Sequence, residues 1–183
     1  MKGSIEKVLE IPEDVIVKIE NNTVIVKGPL GECKRDFQFR DIEKKIEDRR
    51  LILKKEKATK KEKRIMHAIA SHIGNMIKGV KKKYEYVLEI CSIHFPMNVK
   101  VEENKIIVKN FLGERKERII DLLPEVEIEI KGNKIFVRSV DKEKAGRQAA
   151  LIESISRKIP RDKRVFQDGI WIIKKEKGKR EEK

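Results

Sequence analysis

The residues best suited to chemistry in this sequence are cations, and the chemistry they suit is neutralisation of phosphate. Residues 157–164 hold Arg157, Lys158, Arg161, Lys163 and Arg164 against a single acid, Asp162. Lys174 and Lys175 follow shortly after. Lys78, Lys81, Lys82 and Lys83 lie together with no acid between them. Side chains at this density displace the counterions condensed on a nucleic acid, which drives association. The stretch 54–64 is also rich, with seven basic residues and two acidic ones, but it reads as a solvated face. The run at 157–164 reads as a contact. It is rich in arginine, whose planar fork suits phosphate, and Phe166 and Trp171 adjoin it.

Catalytic chemistry is excluded by inventory. There are three histidines, His67, His72 and His94, and neither helical one has a Glu at the spacing a zinc hydrolase helix requires. No glycine-rich phosphate loop ending in Lys-Ser/Thr occurs, nor a nucleophile elbow. No catalytic residue, metal ligand or cofactor is therefore assigned. Cys33 and Cys91 are far apart and lack metal-ligand spacing, so both are expected as reduced, packed thiols.

The whole chain carries the same bias. Its 183 residues have a formal charge of +14, from 45 Lys and Arg against 31 Asp and Glu, and 42% are charged. That points to a polyanionic partner, leaving RNA, DNA and anionic membrane open. No stretch approaches the roughly 18 apolar residues of a membrane-spanning helix, and the N-terminus, with neither an apolar core nor a small-residue cleavage site, does not read as a signal peptide. The sequence has no helix-turn-helix or zinc-finger spacing of a DNA reader. An RNA-processing enzyme or accessory subunit and a DNA-binding architectural protein stand as alternatives to a structural RNA-binding protein.

The elements that must position these cations are organised by a repeat. Residues 17–34, VKIENNTVIVKGPLGECK, and 99–116, VKVEENKIIVKNFLGERK, agree at 11 of 18 positions at an offset of 82. Chance would give about one, so the chain reads as a tandem duplication whose two copies share one strand order. In the first copy Val15, Val17 and Ile19 alternate as a half-buried strand, Asn21-Asn22 turns, and 24–27 returns. A turn at 28–31 leads to a third strand carrying Arg35, Phe37 and Phe39, with the two Phe in the core. Residues 51–53 form a further strand, and a helix over 60–77 presents Ile65, Ile69, Ile73, Met76 and Ile77, with Ala68 beside them. The second copy repeats this with a hairpin at 99–109 and a turn at 110–113, which its partner at 28–31 marks as a hairpin demanded by the fold. A strand through Arg118, a hairpin at 126–138 and a helix from Asp141 to about 158 follow, with Ala145, Ala149, Ile152 and Ile155 on its buried stripe.

Two segments are expected to lie outside the duplication: Tyr84, Tyr86, Leu88 and Ile90, which alternate as a strand opening the second lobe, and the tail 159–183. There Trp171 is expected to anchor a strand in the core. The fold class is α+β: a tandem duplication of a small lobe of antiparallel strands, in two small sheets, packed on one helix. The lobes are expected at 1–80 and 81–183, the second carrying the basic tail.

Four segments carry a family resemblance: Ser71-His72-Ile73-Gly74-Asn75-Met76-Ile77-Lys78-Gly79-Val80, His94-Phe95-Pro96-Met97-Asn98-Val99, Asn110-Phe111-Leu112-Gly113-Glu114, and 161–171, RDKRVFQDGIW. The sequence resembles the archaeal and eukaryotic branch of the sixth large-subunit ribosomal protein family over nearly its whole length. Lys81-Lys82-Lys83 departs from that pattern, standing where relatives usually carry a Thr and a Gly. The resemblance implies a non-catalytic protein of the cytoplasmic ribosome that binds large-subunit ribosomal RNA, chiefly through the second lobe and tail. It also implies a place near the sarcin-ricin loop and the stalk base, beside other large-subunit proteins and away from membrane and DNA. His94 and Gln167, which lie in two of the four segments, complete a candidate RNA-binding set with Arg157, Lys158, Arg161, Lys163, Arg164, Lys174, Lys175, Lys81, Lys82 and Lys83.

Overall fold

A computed structural model describes residues 3–39, 42–157, 162 and 164–175. The chain divides into two units, Met1–Lys83 and Tyr84–Lys183.

The first unit opens with β1 (Gly3–Glu10), then β2 (Ile16–Glu20), β3 (Thr23–Gly28), β4 (Gly31–Asp36), β5 (Glu43–Glu47), β6 (Arg50–Ala58) and α1 (Lys60–Lys81). These make two antiparallel three-stranded sheets, ordered β2-β3-β4 and β1-β6-β5. The second unit has β7 (Tyr84–Cys91), β8 (Asn98–Glu102), β9 (Lys105–Lys109), β10 (Arg118–Asp121), β11 (Val126–Lys131), β12 (Lys134–Ser139), α2 (Lys142–Arg157) and β13 (Gly169–Lys174). Its sheets run β8-β9-β10 and β7-β12-β11, the same order in the same sequence. The expected duplication is thus present as topology: β7 to β12 and α2 repeat β1 to β6 and α1. The strand at Tyr84–Ile90, expected outside the duplication, is instead the counterpart of β1, because it pairs with β12 as β1 pairs with β6. Strand β13 is the addition, and it pairs with β7 on the edge away from β12.

Alternation fixes which side chains meet the helices. Val24 and Val26 of β3, and Leu51 and Leu53 of β6, are fully or almost fully buried, as are Ile106, Val108, Ile135 and Val137 at the matching places in the second unit. Each strand sends every second residue inward, so a one-residue slip would expose the whole set. Over them α1 buries Met66, Ile69, Ala70, Ile73, Met76 and Ile77, and α2 buries Ala145, Gln148, Ala149 and Ile152.

Several expectations need correction. The third strand ends at Asp36, before Phe37 and Phe39. Both rings are still buried, with Phe37 held by its backbone N–H donating to the Asn22 carbonyl at 2.7 Å. Strand β6 is longer than the expected 51–53 because it serves two neighbours, β1 and β5. Ala68 is exposed and Ile65 half-buried, while Met66 and Ala70 take the inward places. Helix α1 runs a turn past Ile77 because Val80 is buried against the β3–β4 turn. A Cβ on Gly28 would lie 2.6 Å from its side chain, and Leu30 N–H donates to the Val80 carbonyl at 3.1 Å.

The segment 110–113 is not the tight hairpin its counterpart at 28–31 is. It forms a 3-10 turn at Phe111–Gly113 with Asn110 and Leu112 at positive φ, and β10 starts only at Arg118. The excursion buries Phe111 and Leu112 in the core of the second unit.

Helix α1 is started by a capping box. Thr59 Oγ1 accepts from Glu62 N at 3.3 Å, and Glu62 Oε2 accepts from Thr59 N at 2.7 Å. The Thr59 backbone N–H and hydroxyl, with Lys55, hold the Glu62 carboxyl down to about 2. Because its folded pKa is depressed, Glu62 stabilises the fold fully above its ordinary 4.5, and that contribution is lost as pH falls toward about 2. The thermal midpoint of Glu62→Gln should therefore approach that of the parent as pH falls from 5 to 2, with the gap widest above pH 5. A gap that is constant across this range would show that the carboxylate is not the capping group.

Candidate nucleic-acid interface

The basic segment after α2 is positioned by what surrounds it. Strand β13 pairs with β7 in the register Ile170↔Ile90 and Ile172↔Leu88. Ile170 is completely buried among Leu88, Ile135, Ala149 and Ile152. Ile170, rather than the expected Trp171, is the core anchor; Trp171 stays half-buried and donates Nε1–H to the Gln167 carbonyl at 3.3 Å. The end of α2 is tied to the same strand. Ser156 Oγ, itself fully buried, accepts from Ile170 N at 3.1 Å, and Glu153 Oε1 accepts from Ile172 N at 3.3 Å. Gly169 permits this approach, since a Cβ there would sit 3.0 Å from Ser156 Cβ and from the Trp171 ring. The segment between Arg157 and Gly169 is thus fixed at both ends.

A second tie joins it to the loop after β7. Asp168 is 2% exposed. Its Oδ1 accepts from Ile93 N at 2.7 Å and His94 N at 3.0 Å, and its Oδ2 lies 2.6 Å from His94 Nδ1. Burial raises the Asp168 pKa, but the hydrogen bonds from the His94 ring and the two backbone N–H groups outweigh it and hold the carboxyl below its usual value. The His94 ring lies 4.9 Å from that of Phe166. The same loop rests on the 110–113 turn, where Asn110 Nδ2–H donates to the Pro96 carbonyl at 3.0 Å. Phe95 packs on Gly113, whose φ of +78° favours glycine. The turn seats the loop that carries His94. Ile93, Phe95 and Val165 are left exposed around the tie.

The expected contact residues fall into three groups. Lys158, Arg161 and Lys163 lie outside the described residues. Arg157, Arg164, Gln167, His94, Lys174 and Lys175 belong to the second unit. Arg157 pairs with Glu153 one turn back on α2. Arg164, with 90% of its side chain exposed, forms a two-pronged contact with Asp162 at 2.8 to 3.2 Å, which lowers the Asp162 pKa and raises that of Arg164. Gln167 is exposed, with Nε2 at 3.4 Å from the Arg164 carbonyl. Lys174 reaches Glu85 at 3.5 Å, and Lys175 is exposed. Lys81, Lys82 and Lys83 belong to the first unit, at the end of α1, where Lys81 contacts Asp14 at 3.4 Å and Lys82 caps the helix.

Asp168 was not legible as a structural centre, because Asp is rarely buried and Asp168-Gly169 reads as an exposed turn. Among the described residues no cluster of His, Cys, Asp and Glu could hold a metal ion, and no helix is long and apolar enough to cross a membrane.

The duplicated topology has a counterpart among known proteins. A family model for ribosomal protein L6 matches residues 11–83 and again 95–169, one match in each unit. The chain belongs to the ribosomal protein L6 family. A large ribosomal subunit protein uL6 of Nanoarchaeum equitans is 45% identical over 175 residues, covering 91% of each chain. That of Aeropyrum pernix is 42% identical over 169 residues, covering 92% of this chain and 93% of its own. That of Methanothrix thermoacetophila is 40% identical over 167 residues, covering 91% and 95%. As a member of this L6 family of structural ribosomal proteins, the chain is not an enzyme. The second family match ends at residue 169, so it contains the whole segment between α2 and β13.

Replacing Asp168 by Ala would leave two backbone N–H groups without an acceptor, at a cost of about 3 kcal/mol. Urea unfolding should show that loss, and amide exchange should accelerate at Ile93 and His94 first. Unchanged exchange at those two positions would show that the loop is held by something else.

Proposed function

We propose that this L6 family member is a structural constituent of the large ribosomal subunit. It binds large-subunit ribosomal RNA through the second unit, with residues 157–175 as the principal contact. The observation that carries this reading is the segment between α2 and β13: it is basic and tied down at Ser156, Asp168 and Ile170. A loop already fixed at its ends loses less freedom on meeting RNA. Arg157 and Arg164 are salt-bridged to Glu153 and Asp162, which aims their guanidinium groups; on binding, phosphate competes with those carboxylates.

In this reading Arg157, Lys158, Arg161, Lys163, Arg164, Lys174 and Lys175 contact the RNA backbone. His94 and Gln167 contact the RNA as well, and Lys81, Lys82 and Lys83, in the first unit, form a separate basic cluster that contacts it. The site on the ribosome is near the sarcin-ricin loop and the stalk base, next to other large-subunit proteins, and the protein works in the cytoplasm. Recognition is by RNA shape, with sugar and phosphate contacts outweighing base contacts.

The test is a triple substitution of Arg157, Arg161 and Arg164 by Ala. Taking about 1 kcal/mol per charge-assisted contact under surface screening, affinity for a fragment of large-subunit RNA should fall roughly a hundredfold with the fold intact. Its dependence on salt should become shallower. The control is Lys60, Lys61 and Arg64 to Ala, three exposed cations on the first turns of α1. Equal loss in the control would place the site elsewhere.

A further inference from the structure

The two units differ at one edge. In the second, β7 has a neighbour on each side, β12 and β13. In the first, the equivalent strand β1 pairs with β6 alone among the described residues. Yet the residues that receive β13 are repeated there. Val87-Leu88-Glu89-Ile90 reappears unchanged as Val8-Leu9-Glu10-Ile11, and Glu85, which meets Lys174, reappears as Glu6. The backbone agrees as well: Ile90 N–H donates to the Asn133 carbonyl at 2.7 Å, and Ile11 N–H to the Arg49 carbonyl at 2.8 Å.

That shared bond fixes which groups face outward. In an antiparallel ladder a residue's N–H and C=O point to one neighbour and the next residue's to the other. Ile11 and Leu9 therefore address β6, while Val8 and Glu10 present their N–H and C=O to the free edge, as Val87 and Glu89 do to β13. The side chains record the missing strand. Val87 is 5% exposed and Val8 44%; Leu88 is fully buried and Leu9 only half-buried.

We propose that the outer edge of β1 at Val8–Ile11 is a docking site for an extended segment of a second protein, which adds as an antiparallel strand in the place β13 occupies on β7. The segment's chemistry follows from β13: apolar residues over Val8 to Ile11, then a basic residue opposite Glu6. Two differences between the edges bear on selectivity. Pro12 stands where Cys91 pairs with Gly169, and it removes one outward donor. Lys7 stands where the second unit has Tyr86. Proline and charge of this kind discourage pairing of an edge with a copy of itself.

The probe is a synthetic peptide with the sequence of residues 168–175, DGIWIIKK, added to the full-length protein. At a concentration about ten times its dissociation constant, amide exchange at Val8 and Glu10 should slow about tenfold, while Leu9 and Ile11 change little. Glu10→Pro removes an outward donor without touching the β6 ladder and should abolish the effect, with folding checked by circular dichroism. Glu6→Lys, which leaves the backbone alone, should weaken the peptide several-fold at low salt. The proposal is overturned if exchange at Val8 and Glu10 does not change. It is overturned too if the peptide protects only Val87 and Glu89, or if sedimentation shows the protein dimerising through this edge.

Discussion

The pairing of β13 with β7 is the contact on which the candidate site depends. Burying Ile170 contributes roughly 2 kcal/mol, and the bonds from Ser156 and Glu153 to Ile170 N and Ile172 N fix its register against α2. Without that return strand the segment after Arg157 would be an open basic tail. With it, both ends of that segment are fixed, at Ser156 and at Gly169. The Asp168 tie then draws in the loop after β7, setting His94 beside Asp168 and Phe166.

Among the described residues this addition is present in only one of the two duplicated units. A lobe of about 80 residues has a small core and little margin. Each unit reaches it in the same way, with two three-stranded sheets under one helix. The second unit interrupts this plan in two places, the loop 92–96 and the turn 110–113, and both serve the same end. The Asn110 and Gly113 conformations seat Pro96 and Phe95, and so aim His94 at Asp168. The departures from the repeat therefore mark the candidate site more sharply than the repeat does.

Much of the fold was legible because it rests on period. Strands such as β3, β7 and β12 alternate strongly, and α1 and α2 carry apolar residues at helical spacing. The elements that were missed lack that signal. Strand β5 reads Glu-Lys-Lys-Ile-Glu and β1 breaks its alternation with Glu6 and Lys7 side by side; both are edges, whose pairing comes from β6 and not from their own side chains. The site was legible in its charge and not in its architecture. Arginines announce themselves, whereas Asp168 and Ser156 act through burial and long-range bonds that no local pattern encodes. Trp171 misled for a related reason: the run of Ile170, Ile172 and Ile173 around it suggested an anchor, but alternation along β13 gives the inward place to Ile170.

The distribution of acids adds a last constraint. Within a chain of charge +14, several of the described cations are held in ion pairs. Arg138 is shared by Glu85 and Glu129, Arg118 is gripped by Glu114 over the Phe111 ring, and Lys55 is held by Glu62. These pairs restrain like-charge repulsion, which would otherwise destabilise so basic a chain. Arg157 and Arg164 are paired too, but each to a single acid within four residues and with most of its own side chain in solvent. Exposed pairs of this kind are worth little. A polyphosphate can therefore take over those two arginines at small cost, whereas it would have to dismantle the Arg118 and Arg138 networks to reach theirs. Under the proposed RNA-binding reading, the weakness of these two ion pairs is what would free Arg157 and Arg164 for phosphate.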